Sequence, residues 1–173
     1  MCFVHVNMKR MNIEKYLFMN SKHLPFLPEG EEGEEKAILQ EKVYVLHFDG
    51  CSKGNPGVAG AGAVIYEDGQ EIYSKAVFVG EHETNNVAEY TGLLIGMQAV
   101  VERGIRKLIV RGDSQLIIRQ MLGEYKVKSP GLLALYQQAK KIERDFASVT
   151  YQHVYRDQNA RADALSNEGL LAR

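Results

Sequence analysis

The order in which side-chain periodicity changes along residues 43–173 restricts the fold more tightly than any other feature. Segment 43–50, VYVLHFDG, is rich in β-branched and aromatic residues. It is apolar on both alternating sets except at His47, as expected of a central strand covered on both faces. Segment 60–80, GAGAVIYEDGQEIYSKAVFVG, reads as two further strands joined at Glu67 to Gln70, where Asp68-Gly69 suits a two-residue hairpin turn. At Thr84 the period becomes helical. Thr84, Asn85 and Asn86 offer capping side chains, and the run ends near Gly104. Leu93, Met97, Val100 and Val101 mark its buried stripe, and Ala88, Gly92, Gly96 and Ala99 form a small-residue edge that allows close approach. A strand at 106–112, helices at 113–122 and 130–146, a strand at 148–155 and a helix at 159–173 complete the order βββαβααβα.

Strands separated by helices should run parallel to the first through right-handed crossovers. The expected architecture is therefore α/β: a mixed sheet with an antiparallel hairpin on one side, parallel strands on the other, and functional groups at the carboxyl ends of the parallel strands.

Residues 1–40 show no sustained periodicity beyond a short helix expected near Met11 to Met19. They read as an extension ahead of one domain at 41–173. Five glutamates between Glu29 and Glu35, beside Pro25, Pro28, Gly30 and Gly33, mark a solvated acidic linker. Cys2 and Cys51 lie far apart and match no metal-ligand spacing, so a reducing compartment without disulfides is expected, with Cys51 a small filler in a turn. No apolar run approaches the ~18 residues of a membrane span, and the first twenty residues lack a signal-peptide core. The expectation is a soluble protein of the cytoplasm or another intracellular compartment. Residues 41–173 carry sixteen Lys or Arg against sixteen Asp or Glu. By charge alone, no basic nucleic-acid footprint stands out.

Four acids fall where this topology would gather them. Asp49 is expected at the end of the first strand and Asp113 just past the fourth; if those strands are parallel neighbours, their carboxylates emerge side by side. Glu89 shares a helical face with Leu93, Gly96, Met97 and Val100, so an acid begins a core-facing stripe. Asp163 lies one turn into the last helix, for which Asn159 is a natural cap. Alone, each has an ordinary reading as a turn residue, cap or helix-dipole acid. As a set they would repel one another unless a cation sat among them. Hard oxygen ligands select Mg²⁺ or Mn²⁺ over Zn²⁺, and two such ions ~4 Å apart suit phosphoryl transfer.

DGCSKGNPG after the first strand, TNNVAEYTGL at 84–93, RGDSQLIIRQ at 111–120 and NARADALS at 159–166, in this order and spacing, resemble type I ribonuclease H over residues 43 to about 170. The resemblance implies a ribonuclease H-like fold, a five-stranded mixed sheet in order 3-2-1-4-5 with helices on both faces. It also implies a monomeric endonuclease that hydrolyses the RNA strand of an RNA:DNA hybrid with two Mg²⁺ ions, for which Mn²⁺ substitutes, leaving 3′-hydroxyl and 5′-phosphate ends. Asp49, Glu89, Asp113 and Asp163 match the family's catalytic metal ligands. Gly50 and Cys51 match backbone positions that read 2′-hydroxyls, the group that distinguishes RNA from DNA. Asn55, Asn85, Asn86 and Gln115 match groove contacts, Thr84 a position that helps grip a DNA phosphate, and Arg156 is a candidate phosphate contact. Where many bacterial members carry a histidine loop before the last helix, this chain has Arg156, Asp157 and Gln158. The basic, Trp-bearing protrusion is reduced to GEYKVKSPG at 123–131. Both departures resemble the shorter archaeal, plant-like and retroelement forms. The alternatives are a non-catalytic hybrid-binding module and a same-fold exonuclease or strand transferase. His47 is expected as a packed, hydrogen-bonded histidine, with a role near the metals as the lesser alternative.

Overall fold

In a computed structural model that describes residues 41–172, β1 (Tyr44–Lys53), β2 (Gly57–Glu67) and β3 (Gln70–Glu83) form an antiparallel meander. The 68–69 turn takes positive φ at Asp68 (50°) and Gly69 (82°), the backbone that an Asp-Gly hairpin requires. After α1 (Asn85–Glu102), β4 (Lys107–Gly112) pairs parallel with β1 and, beyond α2 (Gln115–Met121) and α3 (Pro130–Glu143), β5 (Ser148–His153) pairs parallel with β4. A 3₁₀ turn (Arg156–Asn159) then leads into α4 (Ala160–Gly169). The five strands stand in the order β3-β2-β1-β4-β5, as expected. The helix expected near Met11 to Met19 and the acidic linker lie outside the described residues.

The main core joins the sheet to the first three helices. Leu46 and Phe48 of β1, Val110 of β4, Leu93, Met97 and Val100 of α1, and Ile117 and Met121 of α2 are buried together. Val101, expected in the α1 stripe, is only half-buried. On the opposite face α4 packs against β1, β2 and β3, where Ala162 and Leu165 meet Val64. Helices therefore cover both faces, but among the described residues the α4 side of β4 and β5 has no comparable cover.

Three sequence expectations change. The first strand does not end at Asp49: it runs to Lys53, because Gly50 to Lys53 pair with Ala61 to Val58 of β2. The turn comes later, at Gly54 to Pro56, where Gly54 and Asn55 have φ of 122° and 33°. Cys51 is accordingly a strand residue and not a turn filler, and its Sγ donates to the Ser166 carbonyl at 3.2 Å. Finally, Asn159 does not cap the last helix with its side chain.

Among the described residues no helix is long and apolar enough to cross a membrane.

Candidate active site

The parallel register sets the first two acids at one height. His47 of β1 stands opposite Arg111 of β4. Asp49 and Asp113 each lie two residues further on, past the end of this ladder, at the carboxyl edge of the sheet. Glu89 reaches the same edge from α1, whose first turn is secured by Thr84: its Oγ1 accepts the Val87 N–H at 3.3 Å. The approach of α1 depends on small residues. A Cβ on Gly92 would lie 2.5 Å from the Asp49 carbonyl oxygen and 2.9 Å from that of Gly62. Gly50 faces the Ala88–Glu89 backbone so closely that a side chain there would occupy the same space as the helix. The glycine after Asp49 therefore serves first to bring Glu89 up to the strand.

Asp49 and Glu89 are each only 8% exposed. Burial raises Asp49 from 3.8 to about 6, with the Asp113 charge adding to the rise and the Ser166 hydroxyl opposing it. Burial likewise raises Glu89 from 4.5 to about 7, opposed by the Ser114 hydrogen bond and reinforced by the Asp49 and Asp113 charges.

Each acid is held by a protein donor. Ser166 Oγ donates to Asp49 Oδ2 at 2.9 Å. Glu89 accepts from Ser114 Oγ at 2.6 Å and from Asn85 Nδ2 at 2.9 Å. Asn159 Nδ2 donates to Asp113 Oδ1 at 2.7 Å, and Arg156 pairs with Asp163 Oδ1 at 2.6 Å. Asp163, near the start of α4, also accepts from Asn167 Nδ2. With their oxygens turned to these partners, no three His, Cys, Asp or Glu side chains among the described residues are grouped closely enough, as they stand, to enclose a cation. The four acids are nevertheless electrostatic neighbours, since Asp113 and Asp163 both push Asp49 upward.

Asn159, read from sequence only as a cap, is the chief addition. It is 1% exposed, and its Nδ2 serves both Asp113 and the Phe48 carbonyl (3.0 Å). Both of those partners are acceptors, so its Oδ1 must face His47 Nδ1, 3.1 Å away, which carries the hydrogen. Replacing Asn159 by Ala leaves buried acceptors unmet and should cost about 2 kcal/mol, measured by denaturant unfolding. Ser166, fully buried, and Ser114 are the other site residues that sequence reasoning missed.

Residues 47–169 match the family model described as reverse transcriptase-like. The Bifunctional protein Rv2228c of Mycobacterium tuberculosis is 41% identical over 129 residues, 74% of this chain and 35% of that protein, so the chain spans about a third of that relative's length. Ribonuclease HI of Halobacterium salinarum is 36% identical over 124 residues, 72% of this chain and 62% of that protein. The crystal structure of LC11-RNase H1 in complex with an RNA/DNA hybrid matches with a TM-score of 0.70 at 37% identity, covering 73% of this chain and 96% of that one. The chain belongs to the ribonuclease H family.

Ribonucleases H generally use divalent metal ions. In this chain the remaining sequence candidates divide by location. Asn55 and Asn85 form a chain leading to Glu89: Asn55 Oδ1 accepts the Asn85 N–H at 3.0 Å, and Asn85 Oδ1 accepts the Ser52 N–H at 3.2 Å. Asn86 follows in the first turn of α1 and Gln115 opens α2. Thr84 is occupied as a cap, Gly50 is covered by α1, and Arg156 is committed to Asp163.

The electrostatics set a pH dependence. Asp49 and Glu89 bind their protons more tightly in the folded chain than in the unfolded one. Without divalent ions, their contribution to stability should be fully present below about pH 4 and lost as pH rises through about 6 and 7. Thermal unfolding in EDTA across that range should show the decline, and a divalent cation should reduce it.

Proposed function

We propose that this protein is an endoribonuclease that hydrolyses the RNA strand of RNA:DNA hybrids, with Asp49, Glu89, Asp113 and Asp163 as its catalytic acids. The observation that carries this reading is the pair of buried carboxyls, Asp49 and Glu89, beside Asp113 at the carboxyl edge of the parallel strands. Buried acids whose proton affinity is raised by burial and by neighbouring carboxylates suit a cation better than solvent. The all-oxygen donor set, with no Cys or His ligand pair, fits Mg²⁺, with Mn²⁺ as substitute. When bound, two such ions would activate water and neutralise charge on the phosphodiester.

The residues of the chain do the rest. Asp49 and Asp113 hold the shared centre, and Glu89, oriented by Ser114 and Asn85, faces the 2′-hydroxyl side. Asp163 becomes a ligand by exchanging its Arg156 partner, which frees that guanidinium for a substrate phosphate. Cys51, Asn55, Asn85, Asn86 and Gln115 line the groove-reading side, Gly50 lets α1 approach so that it can present them, and Thr84 fixes the helix start. LC11-RNase H1, solved with an RNA/DNA hybrid, supports the choice of substrate. The chain acts as a monomer, and residues 41–173 suffice for the domain.

Labelled RNA:DNA hybrid, duplex DNA, duplex RNA and both single strands, each incubated with Mg²⁺ and with EDTA, test the reading together. Internal cleavage of the hybrid's RNA strand, lost in EDTA, is expected. Preferential trimming from ends, or hybrid binding with no cleavage in Mg²⁺ or Mn²⁺, would reject it in favour of an exonuclease or a binding module.

A further inference from the structure

A second polar site lies on the same sheet edge, on the face opposite the main core. His47, Arg111 and Gln152 occupy one row across β1, β4 and β5, since His47 stands opposite Arg111 and Arg111 opposite Gln152. Their sequence neighbours Leu46, Phe48, Val110 and Tyr151 are buried in the main core, so this row points the other way. The helix on that face packs against β1, β2 and β3, leaving the row at the border of its cover. With His153, Val154 and Gln158 the row lines a recess of about 550 Å³.

The cation in this recess is unusual for the molecule. Two arginines among the described residues are half-buried, Arg111 and Arg119. Arg119 pairs with Glu124 and lies over the Tyr125 ring. Among the described residues Arg111 has no carboxylate within ion-pair reach; its Nε donates to Gln152 Oε1 at 3.0 Å, and no described residue pairs with its terminal N–H groups. No acidic side chain lines the recess. A half-buried guanidinium held by one neutral acceptor, with Gln152 and Gln158 amides beside it, presents a planar fork of donors suited to an oxyanion. A wall without carboxylates and with a guanidinium and two amides as its donors favours a phosphoryl oxyanion over a metal or an apolar ligand.

We propose that Arg111, with Gln152 and Gln158, forms a binding site for a phosphoryl oxyanion, separate from the four acids but on the same edge of the sheet. It does not depend on those acids cleaving anything. The anion is supplied either by a nucleic-acid strand crossing the edge or by free phosphate. His47 at one end of the row is tied through Asn159 to Asp113, so an occupant would sit one hydrogen-bonded relay away from the catalytic acids.

Titrating the full chain with inorganic phosphate in EDTA, while following the backbone amide resonances of Gln152, His153 and Val154, tests this without any activity readout. The wild type should show saturable shifts in the millimolar range. Arg111→Gln should weaken binding at least tenfold, while Arg111→Lys, which keeps the charge, should retain saturable shifts. A second arm measures hybrid affinity against salt in EDTA. A log–log slope smaller by about 1 in Arg111→Gln assigns the phosphate to the strand; an unchanged slope with phosphate binding lost assigns it to free phosphate. Absence of saturable shifts in the wild type, or equal phosphate binding by wild type and Arg111→Gln, would overturn the site.

Discussion

Replacing Asp49 with Asn should abolish hybrid cleavage, by three orders of magnitude or more, while leaving the fold intact. That loss corresponds to at least about 4 kcal/mol of transition-state stabilisation. Asn keeps the shape of Asp and can still accept from Ser166 Oγ, so the helix that carries Ser166 stays anchored. What disappears is a buried negative charge. In EDTA at pH 8 the variant should be more stable than the wild type, by up to about 2–3 kcal/mol, because an ionised Asp49 is opposed by burial and by Asp113. Near pH 4, where the native carboxyl is protonated, the two should melt together. Parallel assays of cleavage and thermal unfolding at both pH values check this; retained cleavage, or a variant that unfolds at pH 8, would count against the role given to Asp49.

Gly50→Ala should have the largest effect on stability. The added methyl falls on backbone atoms of Ala88 and Glu89, not on a side-chain tip that can swing aside. The helix cannot retreat freely, because Gly92 one turn on is seated against the Asp49 and Gly62 carbonyls and Gly96 against Leu46. Relief requires moving the whole amino-terminal half of α1. The cost should exceed about 3 kcal/mol, lowering the melting temperature by roughly 10 °C. Any folded fraction should also lose activity, since the same movement separates Glu89 from Asp49. A variant melting within a degree or two of the wild type would show that the helix is not held as described.

These two glycine and aspartate positions also show where sequence reasoning reached and where it stopped. The change from period two to helical period at Thr84, and the single strands between later helices, were enough to expect a mixed sheet with an antiparallel hairpin on one side and parallel strands on the other; the full order β3-β2-β1-β4-β5 was implied only by the family resemblance. Glu89 stood out because a charge at the head of an apolar stripe is costly without a reason. The span of β1 was misjudged because glycine signals turns locally, whereas Gly50 answers to a helix that passes it some forty residues later. Asn159, Ser166 and Ser114 escaped notice for a related reason. Asparagine before a helix reads as a cap, and nothing local reveals that its partners are His47, Phe48 and Asp113, as far as 112 residues away. Arg156, expected as a candidate phosphate contact, instead pairs with Asp163 and occupies a carboxylate of the site, a partnership that nothing local in the sequence marks.

The central claim is that Asp49, Glu89, Asp113 and Asp163 act as one divalent-ion site, exchanging their protein donors for a shared cation. Titration of Mn²⁺ followed by electron paramagnetic resonance, on the wild type and on Asp49→Asn, Glu89→Gln, Asp113→Asn and Asp163→Asn, addresses it directly. Saturable binding by the wild type, weakened at least tenfold in the Asp49 and Asp113 variants and measurably in the other two, is the predicted result. Equal Mn²⁺ binding by all five proteins would contradict it.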